Sequence, residues 1–137
     1  MSIQEQQELM KKYYGEAIRY MDNAKECLAK AQKKDNNYQD AKYVKMACGT
    51  AYSGLLIALD GFLILKGVHR RTTKTRKSIE HYQQSIAKID KKMSVSLDNA
   101  YKVLHLSGYY DGIKNATVIK TGFDEAYRII EKIKPAA

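Results

Sequence analysis

Apolar side chains recur at steps of three and four residues along almost the whole chain, which is the spacing of one face of an α-helix. The clearest case is the N-terminal face formed by Leu9, Tyr13, Ala17, Met21, Ala24, Leu28 and Ala31. Strand-like alternation is absent from the sequence, and the single proline, Pro135, lies at the C-terminal end. These features exclude a sandwich or barrel and predict an all-α protein.

The boundaries of the pattern predict a mostly antiparallel bundle of four to five helices in one domain, residues 1–137. Two long N-terminal helices, residues 3–33 and 38–66, are separated by a turn at 34–37. Shorter helices follow at 75–92, around 97–104 with Ser94 or Ser96 as the cap, and at 115–134. Gly67 ends the second helix, and the segment 108–112 breaks the chain before the last one. The second helix is apolar on more than one side, so we expect it to be central.

Positive charge is concentrated in one predicted connection. The chain has 24 Lys and Arg against 15 Asp and Glu, a formal net charge of +9. Six of the basic residues fall between positions 66 and 77, where no acidic residue occurs: Lys66, Arg70, Arg71, Lys74, Arg76 and Lys77, with His69 among them. We name residues 66–77 the basic connector. It is either a solvated loop or a patch that binds phosphates.

The sequence favours a cytoplasmic protein that does not enter a membrane. The N-terminus lacks the basic start and apolar core of a signal peptide. The apolar run 51–65 is short for a membrane span and contains Asp60, which favours a buried core helix. Cys27 and Cys48 have no paired spacing, so we expect free, buried thiols in a reducing compartment.

No pattern in the sequence indicates a cofactor or metal. Glycine-rich phosphate loops are absent, and no Glu-x-x-His pair is present for a di-iron site. The three histidines, His69, His81 and His105, are widely spaced, and neither cysteine has a partner at a zinc spacing. We therefore expect no cofactor and no metal.

One local string is compatible with catalysis. Arg76 could stabilise negative charge on a phosphorus centre, and His81 could transfer the proton of a ribose 2′-hydroxyl. Residues five apart on one continuous helix point about 140° away from each other. The two side chains therefore converge only if the helix begins between them, or if two subunits each supply one. The alternative is a helix start with His81 on its surface.

Asp60 and the tyrosines each allow more than one interpretation. Asp60 lies in an apolar run, where it either accepts a hydrogen bond from a tyrosine hydroxyl, faces water, or acts as a general base in a pocket. Of the 11 tyrosines, five are interleaved with basic residues: Tyr13, Tyr14, Tyr20, Tyr109 and Tyr110. Such a mixture is used to stack single-stranded nucleic acid, but tyrosine is also a normal residue at the edge of a core.

Three segments resemble the HEPN-type helical domains (higher eukaryotes and prokaryotes nucleotide-binding). The run from Asp40-Ala41 through Ala51-Tyr52 to Leu65-Lys66-Gly67 is similar to that family's long second helix. Tyr109-Tyr110-Asp111-Gly112 resembles the break before its last helix, and residues 126–133 resemble its closing amphipathic helix. The resemblance covers nearly the whole chain.

The resemblance implies a bundle that commonly forms homodimers and acts beside a nucleotidyltransferase, in toxin–antitoxin systems or in RNA processing. Ribonucleases of the family carry an Arg-x(4–6)-His motif, and Arg76 and His81 have that spacing. In those nucleases the motif precedes the final helix, where residues 110–121 of this chain hold Lys114 and Asn115 but no histidine.

These observations lead to three hypotheses. The first is a non-enzymatic, dimeric module that binds RNA or nucleotide through Lys66, His69, Arg70, Arg71, Lys74, Arg76 and Lys77. The second is a metal-independent ribonuclease using Arg76 and His81. The third is a protein–protein interaction module in which small residues of the second helix contact a second copy or a partner chain.

Overall fold

The computed structural model describes residues 1–68 and 78–136. Within these ranges the chain forms five α-helices, a π-helix and one two-stranded hairpin. In chain order they are α1 (Ile3–Ala29), β1 (Lys33–Lys34), β2 (Asn37–Tyr38), α2 (Ala41–Leu65), α3 (Ile79–Ala87), α4 (Lys91–Ala100), the π-helix (Tyr101–Tyr110), α5 (Ala116–Ile130) and a 3₁₀ turn (Glu131–Ile133). The all-α helical bundle predicted from the periodicity is confirmed.

The first connection is a small hairpin, where the sequence pattern predicted a plain turn and no strand. Helix α1 begins with a reciprocal cap between Ser2 and Glu5 and ends at Ala29, four residues before the predicted end. Strands β1 and β2 then pair antiparallel around Asp35 and Asn36, which both have φ above +50°. Asp and Asn tolerate this left-handed backbone, so a two-residue hairpin turn forms here.

Helix α2 is the central helix of the bundle, as predicted. Asp40 caps it by accepting from the Lys42 N–H, and Gly67, at φ +76°, follows its last turn. Eleven of its residues are buried. They include Val44, Ala47, Cys48, Ala51, Leu55, Ala58, Leu59, Phe62 and Leu63. Most of the apolar core is therefore built around this one helix.

The close contacts show that the neighbours of α2 run antiparallel to it. Gly54 faces Tyr20, and Gly61, seven residues later, faces Tyr13 on the preceding part of α1. On another side, Gly108 of the π-helix faces Cys48, whereas the earlier Tyr101 lies against Tyr52. In both pairs, residue numbers decrease along the neighbouring helix as they increase along α2. The antiparallel arrangement predicted from short connections is thus observed.

The segment after the basic connector differs from the prediction in its boundaries. A single helix was predicted over 75–92, but α3 begins at Ile79 and α4 begins at Lys91. Asp90 caps α4 by accepting from the Met93 N–H, so the prediction of Ser94 or Ser96 as the cap was wrong. Aspartate is as good an N-cap as serine, and the periodic apolar residues run across the break without showing it.

The predicted break at 108–112 was also placed too early. The chain continues from α4 directly into the π-helix, which includes Gly108, Tyr109 and Tyr110. The helix stops at Gly112, whose φ of +64° ends it and whose N–H bonds the Gly108 carbonyl. Asn115 then caps α5 through the Val118 N–H. Gly108 is needed for packing, because an added Cβ would overlap Cys48.

Candidate nucleic-acid interface

A long π-helix positions the side chains of the candidate site. Residues 101–110 form i→i+5 hydrogen bonds over ten residues, whereas π-turns in proteins are mostly single bulges and are frequent at functional sites. Gly49 of α2 lets this helix approach closely, because an added Cβ there would lie 2.8 Å from Cδ1 of Tyr109. The ring of Tyr109 therefore lies against α2 at Gly49.

The imidazole of His105 is surrounded by four tyrosine rings. Those of Tyr101 and Tyr109 stack with it at centroid distances of 5.3 and 5.7 Å. Tyr110 meets its edge at 4.9 Å, and Tyr52 of α2 lies 4.7 Å away. We name these five residues the aromatic cluster. Tyr109 and Tyr110 are 46% and 61% exposed, so part of the cluster is open to solvent.

Two cavities flank the cluster, and Tyr52, Leu56 and His105 belong to both. The first, about 430 Å³, also contacts Tyr20, Met46, Gly49, Thr50, Ser53 and Tyr109. The second, about 380 Å³, also contacts Ser78, Ile79, Tyr82, Tyr101 and Tyr110. Each is large enough to bury a small planar group. We name the two cavities together the aromatic cleft.

The second cavity lies where the basic connector ends. Ser78 and Ile79, two of its wall residues, directly follow Lys77 in the chain. At the other end of the connector, Lys66 is exposed, with Nζ 5.5 Å from the ring centroid of Phe62. The other predicted phosphate-binding residues, His69, Arg70, Arg71, Lys74, Arg76 and Lys77, lie outside the described residues.

The catalytic candidates are described only in part. His81 lies in the first turn of α3, where its N–H bonds Ser78 Oγ and its ring meets Tyr82 at 5.5 Å. Arg76 is outside the described residues. Helix α3 begins at Ile79, between the two positions, which is the condition the spacing required for their side chains to converge within one chain.

The interpretation of Asp60 as a hydrogen-bonded residue is confirmed. Its Oδ1 accepts from the Tyr82 hydroxyl at 2.9 Å, which ties α2 to α3 beside the second cavity. This hydrogen bond explains why a carboxylate occurs in an apolar run. Because Tyr82 is buried and also contacts the cavity, the pair fixes one wall of the aromatic cleft.

Sequence reasoning found part of the aromatic cleft. Of the five tyrosines proposed as stacking residues, Tyr20, Tyr109 and Tyr110 contact the cavities, whereas the side chain of Tyr13 packs on Gly61. His105, Tyr52 and Tyr101 were missed. The available signal was the four-residue spacing of Tyr101, His105 and Tyr109 on one helical face, which the misplaced break at Gly108 obscured.

The thiols and the apolar helix agree with the sequence predictions. Both cysteines are free; Cys48 is buried and Cys27 partly so. Burial raises the pKa of the Cys48 thiol to about 12.

Helix α2 is long and apolar enough to span a membrane, but half of its most apolar stretch is buried inside the bundle, as in a core helix of a soluble protein. In the ranges 1–68 and 78–136, no three His, Cys, Asp or Glu side chains cluster to hold a metal.

Comparison with known families gives a match over most of the chain. A family described as a domain of unknown function, DUF5618, matches residues 12–135. The chain belongs to the DUF5618 family. Its fold also occurs in a solved structure titled as a protein of unknown function from Dyadobacter fermentans, with 40% sequence identity and a TM-score of 0.79. That match covers 90% of this DUF5618 chain and 94% of the other. No functionally curated protein matches the chain.

Proposed function

We propose that this DUF5618 protein binds RNA or a nucleotide at the aromatic cleft, with the phosphates neutralised by the basic connector. The observation that carries the proposal is the cavity in which Ser78 and Ile79, at the end of the connector, meet His105 and Tyr110. A segment with six basic residues therefore leads directly into a set of exposed rings. Protein surfaces that bind single-stranded nucleic acid combine these two features.

The walls of the aromatic cleft support two separate roles, in which the rings bind a base and the basic connector neutralises the phosphates. The described residues around both cavities supply rings, hydroxyls and apolar groups, with the imidazole of His105 among them. A base can stack there, but none of the described wall residues is a lysine or arginine that could neutralise its phosphate. The nearest cations in the sequence are Arg76 and Lys77, which immediately precede Ser78.

A titration with fluorescently labelled single-stranded RNA at two salt concentrations tests the proposal. Affinity should fall as salt rises, with a log–log slope near −0.7 for each phosphate neutralised. The triple variant Arg70→Ala, Arg71→Ala, Lys74→Ala should lose most of the binding. The matched control Lys11→Ala, Lys30→Ala, Lys88→Ala removes the same charge from exposed positions in or directly after helices and should bind nearly as wild type.

The rings are tested separately from the charges. Tyr110→Ala should weaken RNA binding about tenfold, since stacking of one base on an aromatic side chain contributes about 1–3 kcal/mol. The salt slope should stay unchanged, because no phosphate contact is lost. Absence of binding at low salt, or equal losses in the connector and control triple variants, would overturn the proposal.

A second candidate function is metal-independent RNA cleavage by Arg76 and His81. The observation that favours it is the start of α3 at Ile79, between the two residues. Incubation of RNA with the protein in EDTA, for wild type and His81→Ala, tests it. Cleavage by wild type and its loss in the variant are expected, whereas equal degradation by both proteins would contradict the assignment.

Homodimerisation, a cytoplasmic location and a nucleotidyltransferase or toxin–antitoxin partner are further parts of the proposal, drawn from the resemblance to HEPN-type domains. The glycines of α2 face other parts of the same chain, because Gly54 and Gly61 pack on α1 and Gly49 on Tyr109. A monomer in light scattering at micromolar concentration would contradict the dimer.

A further inference from the structure

A third cavity lies away from the aromatic cleft, between the end of α1, the hairpin and the start of α5. It has a volume of about 530 Å³, within the range of small-molecule sites. The hairpin is held there by hydrogen bonds from Tyr38 N to the Lys114 carbonyl and from Ala116 N to the Asn36 carbonyl. Asn36 Nδ2 also donates to Thr117 Oγ1 at 2.9 Å. These hydrogen bonds between the hairpin and the start of α5 fix the walls of the cavity.

The floor of the cavity is apolar. Ala116, Ile119 and Phe123 of α5 line it and are each no more than 7% exposed, and Leu28 of α1 closes one side. Tyr38 adds a half-buried ring, and burial raises the pKa of its hydroxyl, which keeps the phenol neutral. A hydrophobic body of a ligand would fit against this floor.

The rim carries three lysines. Lys25, Lys33 and Lys120 all line the cavity, and among the described wall residues the one acidic residue is Asp124, whose Oδ2 lies 2.7 Å from Lys120 Nζ. Lys25 lies over Tyr127, with Nζ 4.9 Å from the ring centroid, and its hydrogen bond to that tyrosine raises the pKa of the ammonium. An ammonium has three donors, so Lys25 and Lys120 each keep donors for a ligand.

We propose that this cavity binds a phosphomonoester with an apolar body, at a site separate from the aromatic cleft. Three lysines and one carboxylate leave a net charge of +2 on the walls. A phosphomonoester carries about −1.5 to −2 at neutral pH, so it matches this charge more closely than a single carboxylate does. Lysine binds phosphate as a point charge, whereas planar carboxylate recognition favours arginine, which does not occur among the described wall residues.

The experiment compares phenyl phosphate, phenol and inorganic phosphate by two-dimensional amide NMR titration of the whole chain. Phenyl phosphate should shift the amide resonances of Ala116, Thr117 and Ile119. Phenol and inorganic phosphate should each bind at least about tenfold more weakly than phenyl phosphate. Equal affinity for phenol would show an apolar pocket only, and equal affinity for inorganic phosphate would show a charged patch only. Either result, or a Kd for phenyl phosphate above about 10 mM, overturns the proposal.

Variants locate the site and separate it from the aromatic cleft. Lys33→Ala and Lys25→Gln should each weaken phenyl phosphate binding about tenfold, the loss of one charge-assisted hydrogen bond. Lys11 is exposed on α1 outside the cavity, so Lys11→Ala should leave the affinity for phenyl phosphate unchanged. The triple variant of the basic connector, Arg70→Ala, Arg71→Ala, Lys74→Ala, should bind phenyl phosphate as wild type does. Lys33→Ala should bind RNA as wild type does. Unchanged affinity in both cavity variants, or amide shifts confined to the aromatic cleft, would refute the site whatever the RNA result.

Discussion

On one side of α2, Gly61 receives the ring of Tyr13 from α1; on another, Gly49 receives the ring of Tyr109 from the π-helix. Both contacts use a missing Cβ to bring two helices close together. They differ in what remains exposed, because Tyr13 is half-buried against the core whereas Tyr109 keeps 46% of its surface in solvent. The α1 side thus completes the core, and the π-helix side leaves rings available for a ligand.

The largest expected effect comes from removing the two rings in turn. Tyr13→Ala should lower the free energy of unfolding by about 2 kcal/mol, since it empties a packed contact. Tyr109→Ala should lower it by less than about 1 kcal/mol, because 46% of the surface of this residue already faces water. Urea denaturation measures both values. Similar losses for the two variants would contradict the contrast between the sides.

RNA binding should reverse the order of these two variants. Tyr109→Ala should weaken binding about tenfold, as expected for one lost stacking contact, and Tyr13→Ala should leave it unchanged in the folded protein. Binding that fell only in Tyr13→Ala would assign the ligand to the α1 side instead.

A comparable effect is expected from adding a methyl group on the packed side. The Cβ of Gly61→Ala would lie 2.6 Å from Tyr13 Cβ, so overpacking should cost about 1–3 kcal/mol. Gly15→Ala is the matched control on α1, since nothing lies within 4 Å of the added atom. That substitution should stabilise the protein by about 0.5–1 kcal/mol, the helix propensity gained. Chemical denaturation should give opposite signs for the two variants.

The contrast between the two sides of α2 also shows what the sequence could predict. The apolar periodicity predicted α1, the central α2 and the all-α class, because burial of one stripe per helix determines them. It could not place the Asp90 cap or the continuation through Gly108, since both depend on local geometry that leaves the apolar spacing unchanged. The aromatic cleft joins Tyr52 to His105, and that proximity depends on the tertiary fold.

The phosphomonoester cavity was not predictable for the same reason. Lys25, Lys33 and Lys120 are spread over nearly a hundred positions and share no motif. Only the docking of the hairpin on α5, through Asn36 and Thr117, brings their side chains around one cavity. By contrast, a run of basic residues within twelve positions is visible in any reading of the chain.

The smallest effect at neutral pH concerns Cys48, which lies where the π-helix packs on α2. Burial raises the pKa of this thiol from 9.0 to about 12. Because the folded value exceeds the unfolded one, the associated stability is fully present below pH 9 and is lost as pH rises from 9 through about 12. The unfolded chain releases the proton first, and alkali therefore favours unfolding.

Denaturation curves of wild type and Cys48→Ala between pH 7 and pH 11 measure this effect. The difference in unfolding free energy between the two proteins should stay constant up to about pH 9 and then shift steadily against wild type. Cys27→Ala is the control and should retain the alkaline decline of wild type, since the Cys48 thiol is still present. A constant difference between wild type and Cys48→Ala across the whole range would show that the π-helix leaves Cys48 accessible to water. Access of water to Cys48 would mean that the solvent-exposed side of α2 extends beyond Tyr109 into the contact between α2 and the π-helix.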